Sequence, residues 1–105
     1  STANDIALFF EKLYRGEIGN QETNQEMINL LKQQKLKNKV PKYLPKETVV
    51  AHKTGELGLF THDAGIVFGR KTNYLITILS ESNSPIGAEE RIAKVSQAVY
   101  DYFEN

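Results

Sequence analysis

Apolar residues recur along this chain with two different periods. Ile6, Phe9, Phe10 and Leu13 stand at i, i+3, i+4 and i+7, the spacing that puts side chains on one face of a helix. Thr2 followed by Asp5 reads as a capping-box variant with Ser1 or Thr2 as cap, and Gly16 after Arg15 suits the left-handed position that ends a helix. The adjacent Leu8, Phe9 and Phe10 predict packing on two sides of that helix. A second helix is predicted over Asn24 to Lys35, with Met27, Ile28, Leu30 and Leu31 as its stripe. From Thr48 the period shortens. Thr48 to Thr54, Asp63 to Phe68 and Tyr74 to Leu79 are rich in β-branched and aromatic residues and read as three strands. Gly55 to Gly58 suits a turn, a bulge or a close backbone approach, and Gly69 to Asn73 a turn with Gly69 and Asn73 at positive φ. A short hairpin should join the second and third strands antiparallel, and the almost wholly apolar third strand predicts cover on both faces. The last helix is expected from Ala88 to Phe103, with Ile92, Val95, Val99, Tyr102 and Phe103 on one stripe and Glu89 and Glu90 in its first turn.

This order, helices, then an antiparallel sheet, then a helix, is α+β. Residues 1–45 form the helical part and 46–105 the sheet strands with the last helix. One long helix can cover one sheet face, whereas the first two helices do not obviously cover the other. Apolar surface then exceeds what the chain buries by itself, which points to a missing partner portion and leaves self-association as another way to cover it.

Composition narrows the classes. At 105 residues and 40% hydrophobic, the chain is one domain or part of one and is not a disordered segment. Thirteen Lys and Arg balance thirteen Asp and Glu, so the overall field gives no reason to expect nucleic acid or anionic lipid. The six lysines from Lys32 to Lys46, interrupted by Pro41 and Pro45 and without a regular aromatic interleave for stacking, predict a solvated irregular connector. No cysteine is present, which removes disulfides, thiolate metal sites and cysteine nucleophiles. No apolar run approaches the roughly 20 residues that span a bilayer. His52 and His62 lack a third convergent ligand, so neither a metal nor another cofactor is expected. Ser80, His62 and Asp63 fail as a catalytic triad because neighbours along a strand point to opposite faces.

The chemistry concentrates in Lys53-Thr54-Gly55. A cation, a hydroxyl donor and a residue without Cβ at a strand end suit recognition of an anion. The same tripeptide also suits a plain strand edge, with Lys53 in solvent and Gly55 serving a bulge. The longer string Val50-Ala51-His52-Lys53-Thr54-Gly55-Glu56-Leu57 resembles the third conserved box of the penicillin-recognising serine enzymes, most closely the class A β-lactamases. His62 to Val67 and Tyr74 to Ile78 resemble that family's next two strands, and Arg91 to Ser96 its C-terminal helix. Ser1 to Ala7 resembles the helix start after the omega loop, and Leu44-Pro45 the loop before the box. The resemblance covers essentially the whole chain and implies the C-terminal portion of a β-lactamase or transpeptidase-like fold.

The resemblance also implies roles. Lys53 would lie across a cleft from the nucleophile and hold a substrate carboxylate in its positive field, Thr54 would hydrogen-bond that carboxylate, and Gly55 would keep the strand open to a substrate lying alongside. The Glu56 backbone N–H would be one oxyanion donor, its side chain having no necessary part. The implied activity is opening of β-lactam rings through an acyl-enzyme. The alternatives are a D,D-transpeptidase or carboxypeptidase acting on peptidoglycan stem peptides, and a non-enzymatic binding module of the same fold. The implied location is bacterial and exported: extracellular, periplasmic or anchored at the cell surface. Three family features are absent: a Ser-x-x-Lys pair, since none of the five serines has Lys three residues later, the Ser-Asp-Asn loop, and the omega-loop glutamate. The expectation is therefore a missing N-terminal portion of the same domain and no activity from this chain alone. Class A enzymes also commonly carry an arginine on the strand after the box. Thr61-His62-Asp63 has none, and His62, with an ordinary pKa near 6.5, substitutes for it only when protonated.

Overall fold

The computed structural model describes residues 3–105, so the expected cap at Ser1 or Thr2 lies outside the described residues. Helix α1 (Ala3–Tyr14) ends where Gly16 takes φ +78°. There the Glu17 N–H bonds the Lys12 carbonyl and the Gly16 N–H that of Leu13, which satisfies two of the carbonyls a helix end leaves open. Phe10 and Leu13 are buried, while Leu8 and Phe9 are exposed, so α1 packs on one side, not on two.

Helix α2 (Gln21–Lys32) begins earlier than the apolar stripe suggests. Asn20 and Thr23 close a reciprocal cap, with the Thr23 N–H 2.8 Å from Asn20 Oδ1 and the Asn20 N–H 3.0 Å from Thr23 Oγ1. Asn24, predicted to open the helix, is instead a buried staple. Its Nδ2 donates to the Leu13 carbonyl and its Oδ1 accepts from the Ile18 N–H, each at 2.9 Å. Leu30 drops out of the expected stripe and is exposed.

Strands β1 (Val49–Leu57), β2 (Phe60–Phe68) and β3 (Asn73–Glu81) form one antiparallel sheet in the order β1-β2-β3. β1 runs straight through Gly55, and the turn falls at Gly58-Leu59. Gly58 has φ +60°, as a two-residue hairpin with glycine at its first central position requires. In the β2–β3 turn neither Gly69 nor Asn73 has positive φ. The Glu104 carboxylate, arriving from the far end of the last helix, accepts from the Arg70 and Lys71 N–H groups and holds that turn instead.

Helix α3 (Pro85–Glu104) starts at an Ser84 cap with Pro85 in its first turn, so Glu89 and Glu90 fall beyond that turn. It turns Ala88, Ile92, Ala93, Ser96 and Tyr100 to the sheet and leaves Val95 and Tyr102 exposed. Ala88, Ala93 and Ser96 stand between Ile92 and Tyr100 on this inner face and let it lie close to the strands.

The two sheet faces carry separate cores. Val50, Val67, Tyr74 and Ile76 pack with Ile92, Tyr100, Val40 and Leu44 on the α3 side. Ala51, Ala64 and Ile66 pack with Phe10 and Leu13, joined by Met27, Ile28 and Leu31, on the α1/α2 side. The first two helices therefore do cover the second face. Their cover of β3 is incomplete: Leu75 and Leu79 are 39% and 48% exposed, against the expectation of a strand covered on both faces. The connector is not a solvated loop throughout, because Val40 and Leu44 enter the core and Lys39 is buried.

Candidate functional site

Register sorts the candidate residues between the two faces. Lys53 pairs with Ala64 and Gly55 with His62, on the face of Ala51 and Ile66. Thr54 pairs with Asp63 and Glu56 with Thr61, on the face of Val50 and Val67. β1 is one of the two outer strands, so its residues in both sets border an edge that no other strand of the described sheet pairs.

Lys53 and His62 on the α1/α2 face, together with Thr54 of β1, whose side chain belongs to the other face, line a cavity of about 560 Å³. Its other walls are Ile6, Phe9 and Phe10 of α1 and Met27 and Leu31 of α2, with Asp5 at the rim. The greasy run in α1 thus serves as a cavity wall as well as core. Lys53 is exposed, its Nζ donating to its neighbour Thr54's carbonyl at 2.9 Å, and Thr54 is buried.

Gly55 and His62 fit one another. A Cβ on Gly55 would stand 2.2 Å from His62 Nε2, so the missing side chain makes room for the imidazole. Burial, then the Lys39 ammonium, hold His62 below the usual histidine range; Lys53 adds to this and Asp63 opposes it. His62 is therefore a neutral ring at pH 7, and its buried Nδ1 has no hydrogen-bond partner among the described residues.

On the α3 face lies a polar chain that sequence reasoning missed. The His52 Nδ1 is 2.8 Å from Asp63 Oδ1, both side chains being fully buried. Asp63 Oδ2 accepts from the Val40 N–H at 2.9 Å, and the Val40 carbonyl accepts from Ser96 Oγ at 2.8 Å. One carboxylate so ties β1, β2, the connector and, through Val40, α3. The same pairing separates His52 and Asp63 from His62, and Ser80 accepts instead from Arg91 of α3. Among the described residues no group of three or more His, Cys, Asp or Glu could hold a metal ion.

Lys39, one residue before Val40, is the second omission. It is 2% exposed, and its Nζ lies 3.3 Å from the His62 carbonyl and 3.7 Å from Glu56 Oε1. Farther along the connector, Lys42 and Tyr43 both bind the Glu90 carboxylate of α3, the Lys42 contact being 2.8 Å. These two hydrogen bonds hold Glu90 below the usual carboxylate range.

Residues 1–103 match a family described as the β-lactamase enzyme family. Among solved structures, the L158E mutant of PBP-A, seen as an acyl-enzyme complex with penicillin G, is 29% identical, with a TM-score of 0.86 over 95% of this chain and 39% of its own. The TLA-1 extended-spectrum β-lactamase is 25% identical, with a TM-score of 0.88 over 97% of this chain and 41% of its own. A β-lactamase of Sphaerobacter thermophilus shares the fold at 21% identity, with a TM-score of 0.90 over 99% of this chain and 41% of its own. This chain spans about two fifths of the length of these structures. Among curated proteins none matches it.

Proposed function

From a chain that belongs to the β-lactamase enzyme family, we propose the sheet side of the active site of a serine hydrolase that opens β-lactam rings through an acyl-enzyme. Residues 1–105 are then part of one domain, with 1–45 as its helical part and 46–105 as sheet and last helix. The rest of that domain covers the exposed side of α1 and the open end of β3, where Leu8, Leu75 and Leu79 face outward. A protein of this kind would work outside the bacterial cytoplasm. No helix among the described residues is long and apolar enough to cross a membrane.

The observation that carries the reading is the convergence of Lys53, Thr54 and His62 on one cavity at a free strand edge. A substrate lying along that edge meets the Lys53 charge, the Thr54 hydroxyl and the Glu56 N–H in succession. The nucleophilic serine, supplied from outside these residues, attacks the ring carbonyl. Negative charge gathers on the carbonyl oxygen, where the Glu56 N–H and the serine's own N–H hold it. The ring C–N bond then breaks, its nitrogen takes a proton, and water releases the acyl group.

The second reading, acyl transfer on peptidoglycan stem peptides, shares these steps up to the fate of the acyl group. It draws support from the L158E mutant of PBP-A, captured as a penicillin G acyl-enzyme at 29% identity. Nitrocefin hydrolysis separates the readings. The 105-residue chain alone should show no turnover above background. A longer protein containing it should turn nitrocefin over in the first reading and stop at a stable acyl-enzyme in the second. Neither turnover nor acylation in the longer protein would leave a non-enzymatic binding module.

A further inference from the structure

The even balance of charge along the chain is a sum of two opposed parts. Residues 32–46 carry six lysines and no Asp or Glu, which leaves seven basic against thirteen acidic residues for the rest. Of the six, Lys39 is buried and Lys42 is taken up by Glu90 of α3. Lys35, Lys37 and Lys46 are exposed and have no carboxylate within ion-pair distance among the described residues. Like charges gathered without counter-charges raise a local potential that an anion from outside neutralises.

These lysines stand on a fixed scaffold. The connector folds into tight turns, closed by the Lys42 N–H on the Lys39 carbonyl, the Leu44 N–H on the Pro41 carbonyl and the Thr48 N–H on the Pro45 carbonyl. Val40 and Leu44 enter the core, and Asp63 and Ser96 bond the Val40 N–H and carbonyl. On this scaffold Lys37, Lys42, Lys46 and Thr48 line a cleft of about 250 Å³. Ammonium groups and a hydroxyl offer donors to a group with several oxygens, such as a phosphate. Lys35, with Gln33 and Gln34, lines a second cleft. Lys35 and Lys37 are two residues apart, at most about 7 Å of backbone, so a chain of phosphates reaches both clefts where a single phosphate reaches one.

We propose that the connector is a binding surface for a linear phosphate polymer, which lies along Lys35, Lys37 and Lys46. Nucleic acid fits this surface less well. Proteins hold single strands by stacking bases on aromatic rings as well as by charge, and Tyr43, the one aromatic residue of the connector, is hydrogen-bonded to Glu90. The surface is independent of the acyl chemistry at Lys53, and no covalent bond changes when it is filled.

Titration of the intact protein with long-chain inorganic polyphosphate, followed by calorimetry at several salt concentrations, tests this. Affinity should fall about twentyfold between roughly 50 and 200 mM salt, as counterion release from about three phosphate contacts requires. Lys37→Gln combined with Lys46→Gln should take about two contacts from that salt dependence. Both positions are exposed, so the unfolding midpoint should stay where it is. No binding by the unchanged protein, or undiminished binding by the double variant, overturns the proposal and leaves the active-site reading as it stands. Oligothymidylate of equal charge, or phosphatidylglycerol vesicles, bound as tightly as polyphosphate would overturn it in favour of a nucleic acid or a membrane.

Discussion

The His62 imidazole lies across the backbone of Gly55, where a Cβ would stand 2.2 Å from Nε2. The glycine of the Lys53-Thr54-Gly55 string thus has a local reason to be a glycine, independent of any ligand. A second glycine of the sheet, Gly65, is crowded differently: its Cβ would meet the Ala51 carbonyl oxygen at 2.2 Å. A side chain can turn aside, and a paired strand cannot. Gly65→Ala should cost about 3 kcal/mol or more, the upper end for overpacking, and Gly55→Ala about 1 kcal/mol with a shifted imidazole. Urea unfolding of the two variants measures the difference, and equal costs would contradict the packing described.

The position of His62 between two ammonium groups has a titration consequence. Because burial and Lys39 depress its pKa, the imidazole should titrate below 6.5, visible as a low midpoint for its ring protons by NMR. Its contribution to stability is complete above pH 6.5 and is lost as pH falls from there through the folded value, since the unfolded chain binds the proton first. Lys39→Met should raise the midpoint part of the way toward 6.5, burial remaining as the larger cause. A midpoint above 6.5 in the unchanged protein would refute this.

Asp63 is the junction of the α3-side polar chain, serving His52 and the Val40 N–H at once. Asp63→Ala leaves both without a partner inside the protein and should cost about 3–5 kcal/mol in a denaturant titration. Ser96→Ala removes only the last link, to the Val40 carbonyl, and should cost about 1 kcal/mol. If the two variants unfold together, Asp63 is not the junction.

Much of this was legible in the chain, and the omissions have physical causes. Periods of hydrophobicity gave three helices and three strands in the observed order. β1 was cut short because a glycine inside a strand reads as punctuation; the ring that fills the space above Gly55 comes from seven residues farther on and leaves no local trace. α2 was started late because its first turn is polar and its real signal is the reciprocal pair Asn20 and Thr23. On α3 the expected stripe holds at Ile92 and Val99 but not at Val95 and Tyr102, and Ala88, Ala93 and Ser96 join the inner face because closeness suits small side chains. Lys53, Thr54 and His62, which line the cavity beside β1, stand in the motif or its neighbourhood and so are legible in the sequence. Lys39 is not, since six lysines in one connector look alike until the fold buries one of them.

The central claim is that the Lys53 charge, at a free strand edge, serves acylation of a serine outside these residues. Stopped-flow labelling of the intact protein with a fluorescent penicillin, with and without Lys53→Ala, tests it directly. The exposed position of Lys53 lets the variant keep its fold, which unfolding midpoints check. The account predicts that labelling slows about 100-fold to 1,000-fold, the cost of losing one preorganised electrostatic contact, with the label on a residue other than the five serines of this chain. An unchanged labelling rate in Lys53→Ala, or a label on one of those serines, would contradict it.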